Sequence, residues 1–430
     1  MKTGMRKCAL FTLVLLCLVG SLSVGSAAPK KVTITILRPG DMDKVKRFLE
    51  PAITKFEAAN PDIRIEPIYM GWEGWETKYK AMFKSGTQPD VIYWLARNIG
   101  EEGVYDHLFP VDEFVDKDVV YALPQGLLDM GMFRGKLIGV PACADPFVLF
   151  YRKDVFKAAG LDPERPPRTL LEFREYAKTI KDKTDVIPIG TYAKAAPTLQ
   201  EQVSFFCYLW TGKPWLDESF KPTFNNKEGI EAIEFWHSLK PYVQPGELQY
   251  NRGDVRPLFR DGRVAMLMAE GPWIVPMLQE KYGQDLDKSP IGIGVFPGKA
   301  GYTGVGAWVI ASRGKENDLE KAKAAGRFIS FLSTPEEHYK HALIYGATPF
   351  FDSVLQKEGF NYGFWKTIKD ARDGHPQFDE MASGHPAPMA IIQPLYEVWQ
   401  KVWLEAMSPA KALAEAEKLV NDVNRRYGIR

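Results

Sequence analysis

Strand-like and helix-like segments alternate along most of this chain. Residues 32–37 read VTITIL, the apolar and β-branched composition of a buried strand. The next segment has an apolar residue every three or four positions, as an amphipathic helix does: Val45, Phe48, Leu49, Ile53 and Phe56. Asn60 and Pro61 end that helix, and residues 62–70, DIRIEPIYM, return to a strand. This alternation predicts an α/β fold with mainly parallel, doubly wound sheets.

Further segments repeat the same two patterns. Residues 89–94 and 136–141 are short apolar strands, PDVIYW and KLIGVP. Thr169, Thr334 and Ser408 each stand just before a helical pattern, where a hydroxyl caps free backbone N–H groups. The last helix carries an apolar stripe of Leu413, Ala416, Val420 and Val423. The helices therefore have both start signals and a face to bury.

The length predicts two lobes, because 430 residues exceed the size at which one core keeps growing. No Gly/Ser-rich linker separates them, so strand-like crossings must join them in a multi-strand hinge. The candidate crossings are residues 135–145, 301–312 and 345–353. We predict the first lobe at residues 28–140 with 306–347, and the second at residues 141–305 with 348–430.

The amino-terminal residues 1–27 have the three regions of a secretory signal peptide. Basic residues precede the apolar run CALFTLVLLCLVG, and the small residues SVGSA lead to a cleavage point after Ala27. The run is too short to span a bilayer as a membrane helix. A lipid anchor on Cys17 is disfavoured, because Leu16 stands where such a signal needs a small residue. We expect a secreted protein.

Charge and cysteine content narrow the function further. Without the leader the chain has 52 basic and 54 acidic residues, which gives no basic surplus for nucleic acid. Cys143 and Cys207 remain, and an oxidising compartment would let them form a disulfide. Two buried free thiols are the favoured interpretation, since a chain this large needs no disulfide to stabilise its fold.

The local signatures of enzymes are absent from the sequence. There is no H-E-x-x-H, G-x-S-x-G, C-x-x-C or G-x-G-x-x-G. His338 and His341 share a helix face without a further ligand at metal-binding spacing, and we interpret them as surface residues. We expect no metal and no cofactor. Acidic pairs for polysaccharide cleavage stay open, because 54 acids offer many pairs and no pattern selects one.

Aromatic residues recur at the ends of the predicted strands. Trp72, Trp94, Tyr192 and Trp273 each close or follow such a segment. Ligands of open α/β sheets bind beyond the carboxyl ends of the strands, where aromatic faces pack against the C–H faces of sugars. For any one of them, ordinary core packing is an equal alternative, because tryptophan is mostly buried.

The segment FRDGRVAMLMAEGPWIV, residues 259–275, shows this pattern most clearly. An apolar strand over residues 264–269 ends in a turn, and the indole follows at once. We expect Gly271 to permit a tight approach, Pro272 to stiffen the turn and Trp273 to form a platform in a cleft.

Three segments in order resemble one family. Residues 135–163, GKLIGVPACADPFVLFYRKDVFKAAGLDP, are similar to its hinge strand and the helix start that follows. Residues 259–275 are similar to its F-x-x-G-x-x-A-M segment ending in Gly-Pro-Trp, and residues 89–100 to its Pro-Asp strand with a terminal Trp. The family is the extracellular solute-binding proteins of ABC importers, which includes the maltose-binding protein. The resemblance covers essentially the whole mature chain.

The resemblance implies a fold and a role. The fold is that of the type II periplasmic binding proteins, two lobes that close on a solute. The implied role is to capture a sugar or oligosaccharide in the periplasm and deliver it to membrane permease subunits, without catalysis and as a monomer. A secreted polysaccharide-cleaving enzyme, or a binder of a polyamine or metal chelate, is the alternative.

The resemblance also implies ligand-binding residues. Trp94 and Trp273 match sugar-stacking aromatics, Asp145 stands at a cleft carboxylate, and Tyr192 lies in the loop that supplies a stacking Tyr. The full set that we predict to bind ligand is Arg38, Asp41, Trp72, Trp94, Arg97, Asp145, Tyr192, Trp273, Trp308 and Phe350.

Two departures from the family pattern bear on the solute. Arg97 and Asn98 replace an Asp-Arg pair that bonds sugar hydroxyls, and an aliphatic residue near Ile392 replaces a stacking Trp. Maltose itself is therefore disfavoured. Arg38 and Arg97 both follow strands, which suggests an anionic group such as a uronate. Pairing of the two arginines with cleft carboxylates is the equal alternative.

Overall fold

The computed structural model describes residues 31–101, 105–315, 318–374, 376–379, 381–382 and 384–429. The predicted signal peptide lies outside the described residues. Within them, none of the helices combines the length and the apolar composition needed to cross a bilayer.

Strands and helices alternate as the sequence predicts. The strands are β1 (Val32–Pro39), β2 (Ile63–Met70), β3 (Val91–Leu95), β4 (Leu108–Phe109), β5 (Met132–Phe133), β6 (Lys136–Leu137), β7 (Gly139–Pro146), β8 (Leu149–Arg152), β9 (Ile187–Gly190), β10 (Val264–Leu267), β11 (Ile291–Gly294), β12 (Gly301–Ala311) and β13 (Gln377–Phe378). The helices are α1 (Met42–Ala59), α2 (Trp75–Ser85), α3 (Lys117–Val120), α4 (Gln125–Met130), α5 (Lys153–Ala158), α6 (Leu170–Lys183), α7 (Pro197–Thr211), α8 (Lys227–His237), α9 (Arg252–Arg260), α10 (Val275–Tyr282), α11 (Asp318–Leu332), α12 (Pro335–Tyr345), α13 (Asp352–Leu355), α14 (Gly363–Asp373), α15 (Pro388–Trp403) and α16 (Pro409–Arg426).

The first lobe is built on a sheet with the strand order β13-β12-β3-β1-β2, in which β4 and β7 also pair with β12. Strands β1, β2 and β3 run parallel, and β1 meets β2 in one unbroken register from Val32 opposite Ile63 to Pro39 opposite Met70. Helices α1, α11 and α12 pack together over this sheet. The carboxyl ends of β1, β2 and β3 consequently lie at one edge, where a ligand site is expected.

The second lobe is built on a sheet with the order β11-β8-β10-β9. Helices α6 and α9 pack on β9 and β10, while α7, α8, α15 and α16 form a helical layer beyond them. Strands β9 and β10 are parallel, so the loops that follow them also share one edge.

The α/β fold with two lobes is confirmed, but the sheets are mixed rather than mainly parallel. Strand β12 runs antiparallel to β3, β4 and β7, and β8 runs antiparallel to β10 and β11. The crossings explain this difference, because a chain that passes from one lobe to the other enters the second sheet from the opposite direction. The exact lobe boundaries stay a prediction.

Side-chain caps fix the helix starts that the sequence marks. The Thr169 hydroxyl accepts from the Glu172 backbone N–H at 3.0 Å, and Thr334 and Ser408 cap α12 and α16 in the same way. In α16 the predicted stripe is buried: Leu413, Ala416, Val420 and Val423. Each such cap is worth about 1 kcal/mol.

The two cysteines within the described residues, Cys143 and Cys207, are free thiols. Both are buried and neither forms a disulfide. Cys143 lies on β7 with its Sγ 3.0 Å from the Tyr93 hydroxyl, and burial raises the pKa of both thiols. The thiolate is therefore disfavoured at either position, as the favoured sequence interpretation requires.

Candidate functional site

The lobes touch at the edges where their parallel strands end. A short 3-10 turn after β3 carries Arg97, whose guanidinium lies 3.4 Å from a carboxylate oxygen of Glu201 on α7. At a second point Gly346, which ends α12, packs on Pro272 so closely that a Cβ would lie 2.6 Å from the proline carbonyl. The two lobes are thus in contact at two points along the cleft.

Charged side chains form a continuous network across the cleft. Arg97 bridges Glu76 of the first lobe at 3.3 Å and Glu201 of the second. Glu201 also pairs with Arg252 of α9, and Arg252 donates to the Tyr192 hydroxyl at 3.0 Å. Burial opposes ionisation of Glu201, but Arg252 and Arg97 outweigh it and hold the pKa of that carboxyl below its usual range.

The Arg252 guanidinium is surrounded by aromatic rings. Its central carbon lies 4.9 Å from the ring centroid of Phe147, 5.3 Å from Tyr192 and 5.4 Å from Trp273. Burial raises the pKa of Tyr192 to about 12, so its hydroxyl remains a donor and bonds the Ala269 carbonyl at 2.7 Å. Cations over aromatic faces gain about 0.5–2 kcal/mol when they are desolvated.

A second ion pair stands at the end of β10. Glu270 is 2% exposed, and its two oxygens accept from Arg256 at 2.9 and 3.1 Å. The same carboxylate accepts from the Gly271 backbone N–H at 2.9 Å. Ala269 just before it has a left-handed φ of 57°, so the chain turns out of the strand there. The Glu270 carboxylate is therefore held by both Arg256 and the backbone of the turn.

Trp273 lies just past this turn and is half-buried. Its ring packs directly over Gly271, where a Cβ would come within 2.5 Å of the indole. Phe147 meets it edge-on at 6.0 Å, and its Nε1 is buried without a partner. The indole can pack this closely on the backbone because Gly271 has no side chain, as expected from the sequence.

Trp72 stands on the first-lobe edge and is the more open of the two indoles. It is 44% exposed in the loop after β2, edge-on to Trp75 at 5.6 Å and to Tyr93 at 6.4 Å. Its outer face is therefore available to solvent. That position keeps Trp72 a predicted ligand contact.

Three of the predicted ligand contacts are packed within the core. Trp94 is stacked on Tyr79 at 4.8 Å and is 1% exposed. Trp308 is buried on β12 edge-on to Tyr93, and Phe350 is stacked on His338 at 4.4 Å. The reason is that Trp94 and Trp308 are paired within their strands rather than standing beyond them. As ligand contacts, all three stay predictions.

The two predicted acidic contacts hold backbone groups. Asp41 is the N-cap of α1 and accepts from the N–H groups of Asp43 and Lys44 at 3.0 and 3.2 Å. Asp145 on β7 accepts from the Thr348 N–H at 2.7 Å. Burial raises the pKa of Asp145 to about 6. Both remain predicted contacts, with part of their bonding capacity already used.

His338 and His341 are buried, not on the surface. The Nε2 of His338 accepts from the Phe350 N–H at 3.0 Å, and His341 Nε2 lies 3.2 Å from Arg38 Nη2. Burial lowers the pKa of His338 to about 3 and that of His341 well below its usual value. Both rings are neutral. The described residues contain no group of three or more His, Cys, Asp and Glu that would hold a metal.

Arg97 and Arg38 are surrounded by different groups in the structure. Arg97 pairs with acids on both sides of the cleft, as one of the two sequence interpretations proposed. Arg38, at the carboxyl end of β1, lies between the rings of Tyr93 and Tyr345 at 4.4 and 3.6 Å. Of these two arginines, which follow neighbouring strands, Arg97 is paired with carboxylates, whereas Arg38 has none of the described carboxylates within 4.0 Å.

Several cleft residues were not found from the sequence. They are Glu76, Glu201, Arg252, Arg256 and Glu270. One signal was available for the arginines, because an i, i+4 pair on one helix face points two guanidinium groups in one direction. Glu201, in the polar triplet Gln200 to Gln202 of an otherwise apolar helix, was a second signal.

The fold and the cleft define a two-lobed binding protein. The solute-binding protein of an ABC transporter from Thermotoga lettingae, solved with alpha-D-tagatose bound, superposes with a TM-score of 0.78. It is 23% identical in sequence, and the match covers 91% of this chain and all of that one. This similarity establishes the fold.

The chain belongs to the bacterial extracellular solute-binding proteins, whose sequence profile matches residues 40–339. It is 25% identical over 410 residues to the sn-glycerol-3-phosphate-binding periplasmic protein UgpB of Salmonella typhimurium, covering 87% of this chain and 88% of that protein. It is 24% identical over 346 residues to the maltotriose-binding protein of Pyrococcus abyssi, covering 78% and 70%. The family resemblance read from the sequence is confirmed.

Proposed function

We propose that the protein captures a sugar or a related polyol in the cleft between its lobes and delivers it, unaltered, to the permease subunits of an ABC importer. The periplasm is the proposed location, in agreement with the predicted signal peptide. One observation carries the proposal: an indole platform at Trp273 is flanked by the charged pairs of Glu201 with Arg252 and Glu270 with Arg256.

This combination suits a sugar for a physical reason. A pyranose ring presents apolar C–H faces, which pack on an indole, and a rim of hydroxyls, which need donors and acceptors. Carboxylates and guanidinium groups supply both kinds of partner within reach of the same ring. The two relatives are named for binding sn-glycerol 3-phosphate and maltotriose, and these names point to the same class of solute.

The proposed mechanism is closure. Closure would bring polar groups of the two lobes together, and Arg97 and Glu201 are such a pair in this structure. A solute that contacts both lobes then stabilises the shut form by its differential affinity for the two states. The permease would recognise that shape. No covalent step is needed.

The direct test uses the purified mature protein. Thermal-shift screening against mono- and oligosaccharides, polyols and sugar phosphates identifies a ligand, and calorimetry measures its affinity. We expect a raised melting temperature for at least one of these solutes and a smaller radius of gyration with that solute in X-ray scattering.

Two results would contradict the proposal. A protein unresponsive to every sugar, polyol and sugar phosphate, yet stabilised by a polyamine or a metal chelate, belongs to another solute class. Cleavage of an oligosaccharide during the incubation, detected by chromatography, would make the protein an enzyme.

A further inference from the structure

Arg38 is an exception among the buried arginines of the described residues. Arg97 pairs with Glu76 and Glu201, Arg152 with Asp154, and Arg372 with Asp373. The Arg38 side chain is equally enclosed, with 4% of the residue exposed, yet no described carboxylate oxygen lies within 4.0 Å of its nitrogens. The first lobe therefore holds one buried positive charge without a counter-ion of its own.

The groups that contact this guanidinium are all uncharged. Nη1 donates to the Pro39 carbonyl at 3.0 Å, and Nη2 lies 3.2 Å from the neutral His341 ring. The rings of Tyr93 and Tyr345 cover its two sides. Burial raises the pKa of both tyrosines, so neither supplies a negative charge.

Hydrogen-bonding capacity is also left over at this place. Arg38 Nε and the Tyr345 hydroxyl are both buried without a partner. The two acids that stand at the same edge are occupied elsewhere, since Asp41 caps α1 and Asp145 holds the Thr348 backbone. A buried charge without a counter-ion is destabilising, and an anionic group that arrives with the solute would remove that cost.

Gly40 lies next to both the Arg38 guanidinium and the Trp72 indole. A Cβ placed on Gly40 would lie 3.1 Å from both Arg38 Nη1 and a methyl carbon of Val45, and 3.9 Å from Nε1 of Trp72. Trp72 is the exposed indole of this lobe. Because the glycine has no side chain, these two N–H donors, one of them cationic, come close to each other beside its backbone.

We propose that Arg38 binds an anionic oxygen group of the solute, a phosphate ester or a carboxylate, with the Trp72 indole N–H as a second donor. The inference rests on the proposed function, because it specifies the class of sugar or polyol that the cleft accepts. Guanidinium groups bind such oxyanions through paired donors, and their hydrogen bonds to charged acceptors are the strong ones.

Wild-type protein gives the first measurement. Calorimetry compares glucose with glucose 6-phosphate and glucuronate, and glycerol with sn-glycerol 3-phosphate, at low and high salt. We expect at least one anionic solute to bind at least about tenfold more tightly than its neutral counterpart, with an advantage that shrinks as salt rises. The phosphate and carboxylate arms tell which oxyanion the site takes.

Variants then assign the preference to Arg38. Arg38→Met should reduce affinity for the preferred anionic solute by about tenfold or more, while changing affinity for a neutral one less than about twofold. Arg38→Lys keeps the charge and should retain part of the preference. Arg47→Met, which removes an exposed positive charge from α1, is the matched control and should leave the preference intact.

The outcomes separate the inference from the function on which it rests. If neutral sugars bind and no anionic counterpart is preferred, the anion site is refuted and the sugar-binding function stands. If Arg38→Met weakens the binding of neutral and anionic solutes equally, Arg38 has only a structural role. If no sugar, polyol or sugar phosphate binds the wild type, the proposed function fails and this inference fails with it. Should Arg38→Met not fold, Arg38→Lys and the wild-type salt series still decide.

Discussion

Trp94 and Trp273 look alike in the sequence and differ in the fold. Both come at the end of an apolar segment with strand composition. Trp94 is still inside β3, paired opposite Ala307 and enclosed by Trp75, Tyr79 and Phe83. Trp273 stands six residues past the end of β10, beyond a turn, with part of its ring open.

The difference teaches where a strand-end aromatic becomes available to a ligand. A side chain within a paired strand must point to one face of the sheet, and in a doubly wound lobe both faces are covered by helices. A residue past the last pairing is free of that constraint. Gly271 and Pro272 supply this release for Trp273, whereas β3 continues through Leu95.

Trp94→Ala gives the largest expected effect. Because the indole is fully enclosed, its removal should lower the free energy of unfolding by about 3–5 kcal/mol. Urea denaturation followed by circular dichroism measures this. A loss below about 1 kcal/mol would mean that Trp94 is not part of the core and would break the comparison.

Trp273→Ala should act on binding instead. We expect affinity for the ligand found by screening to fall by about 1–3 kcal/mol, because a buried aromatic contact is lost. Trp210→Ala is the matched control, since Trp210 is also half-buried but ends α7 and packs on Phe235. Calorimetry that gives unchanged affinity for Trp273→Ala would remove Trp273 from the site.

Gly271→Ala tests the support beneath the indole. The glycine has φ −105° and ψ 177°, which alanine adopts readily, so the new Cβ acts only by pushing the Trp273 ring aside. We expect a loss of affinity of about 1 kcal/mol. In the Trp273→Ala background the same change should have no further effect, and additive losses would contradict the proposed contact.

Trp72→Ala should have the smallest effect on stability. Because nearly half of the residue is exposed, the free energy of unfolding should change by less than about 0.5 kcal/mol. The same denaturation experiment as for Trp94→Ala compares the two directly. A large loss of unfolding free energy in Trp72→Ala would place Trp72 in the core. A position just past a strand would then not be enough to make an aromatic side chain available to a ligand.

Local patterns in the sequence were enough to predict the elements of the fold. The strand at residues 32–37, the caps Thr169 and Ser408 and the stripe of α16 all depend on neighbours within a few positions. The orientation of β12 was not available in this way. It depends on which strand of the other half lies beside it, and no local period encodes that choice.

The candidate site was predicted only in part, for the same reason. The positions of Trp72 and Trp273 beyond their strands were predicted because a strand end is a local feature. The pairing of Arg97 with Glu201 joins positions 104 residues apart, and Arg38 is distinguished only by the absence of such a partner. Whether a charge is neutralised is decided by tertiary contacts, so two arginines in like sequence positions could not be told apart.

The bridge from Arg97 to Glu201 has a thermodynamic consequence for every solute at once. For any solute that prefers the closed form, the apparent affinity is the intrinsic affinity scaled by the fraction of empty molecules that are closed. An ion pair that raises this fraction therefore raises the apparent affinity. A stronger bridge would tighten all guests alike without improving discrimination among them. It would also raise the number of empty, shut molecules that compete for the transporter. The strength of the ion pair therefore sets a balance between apparent affinity for the solute and competition from empty, closed molecules at the transporter.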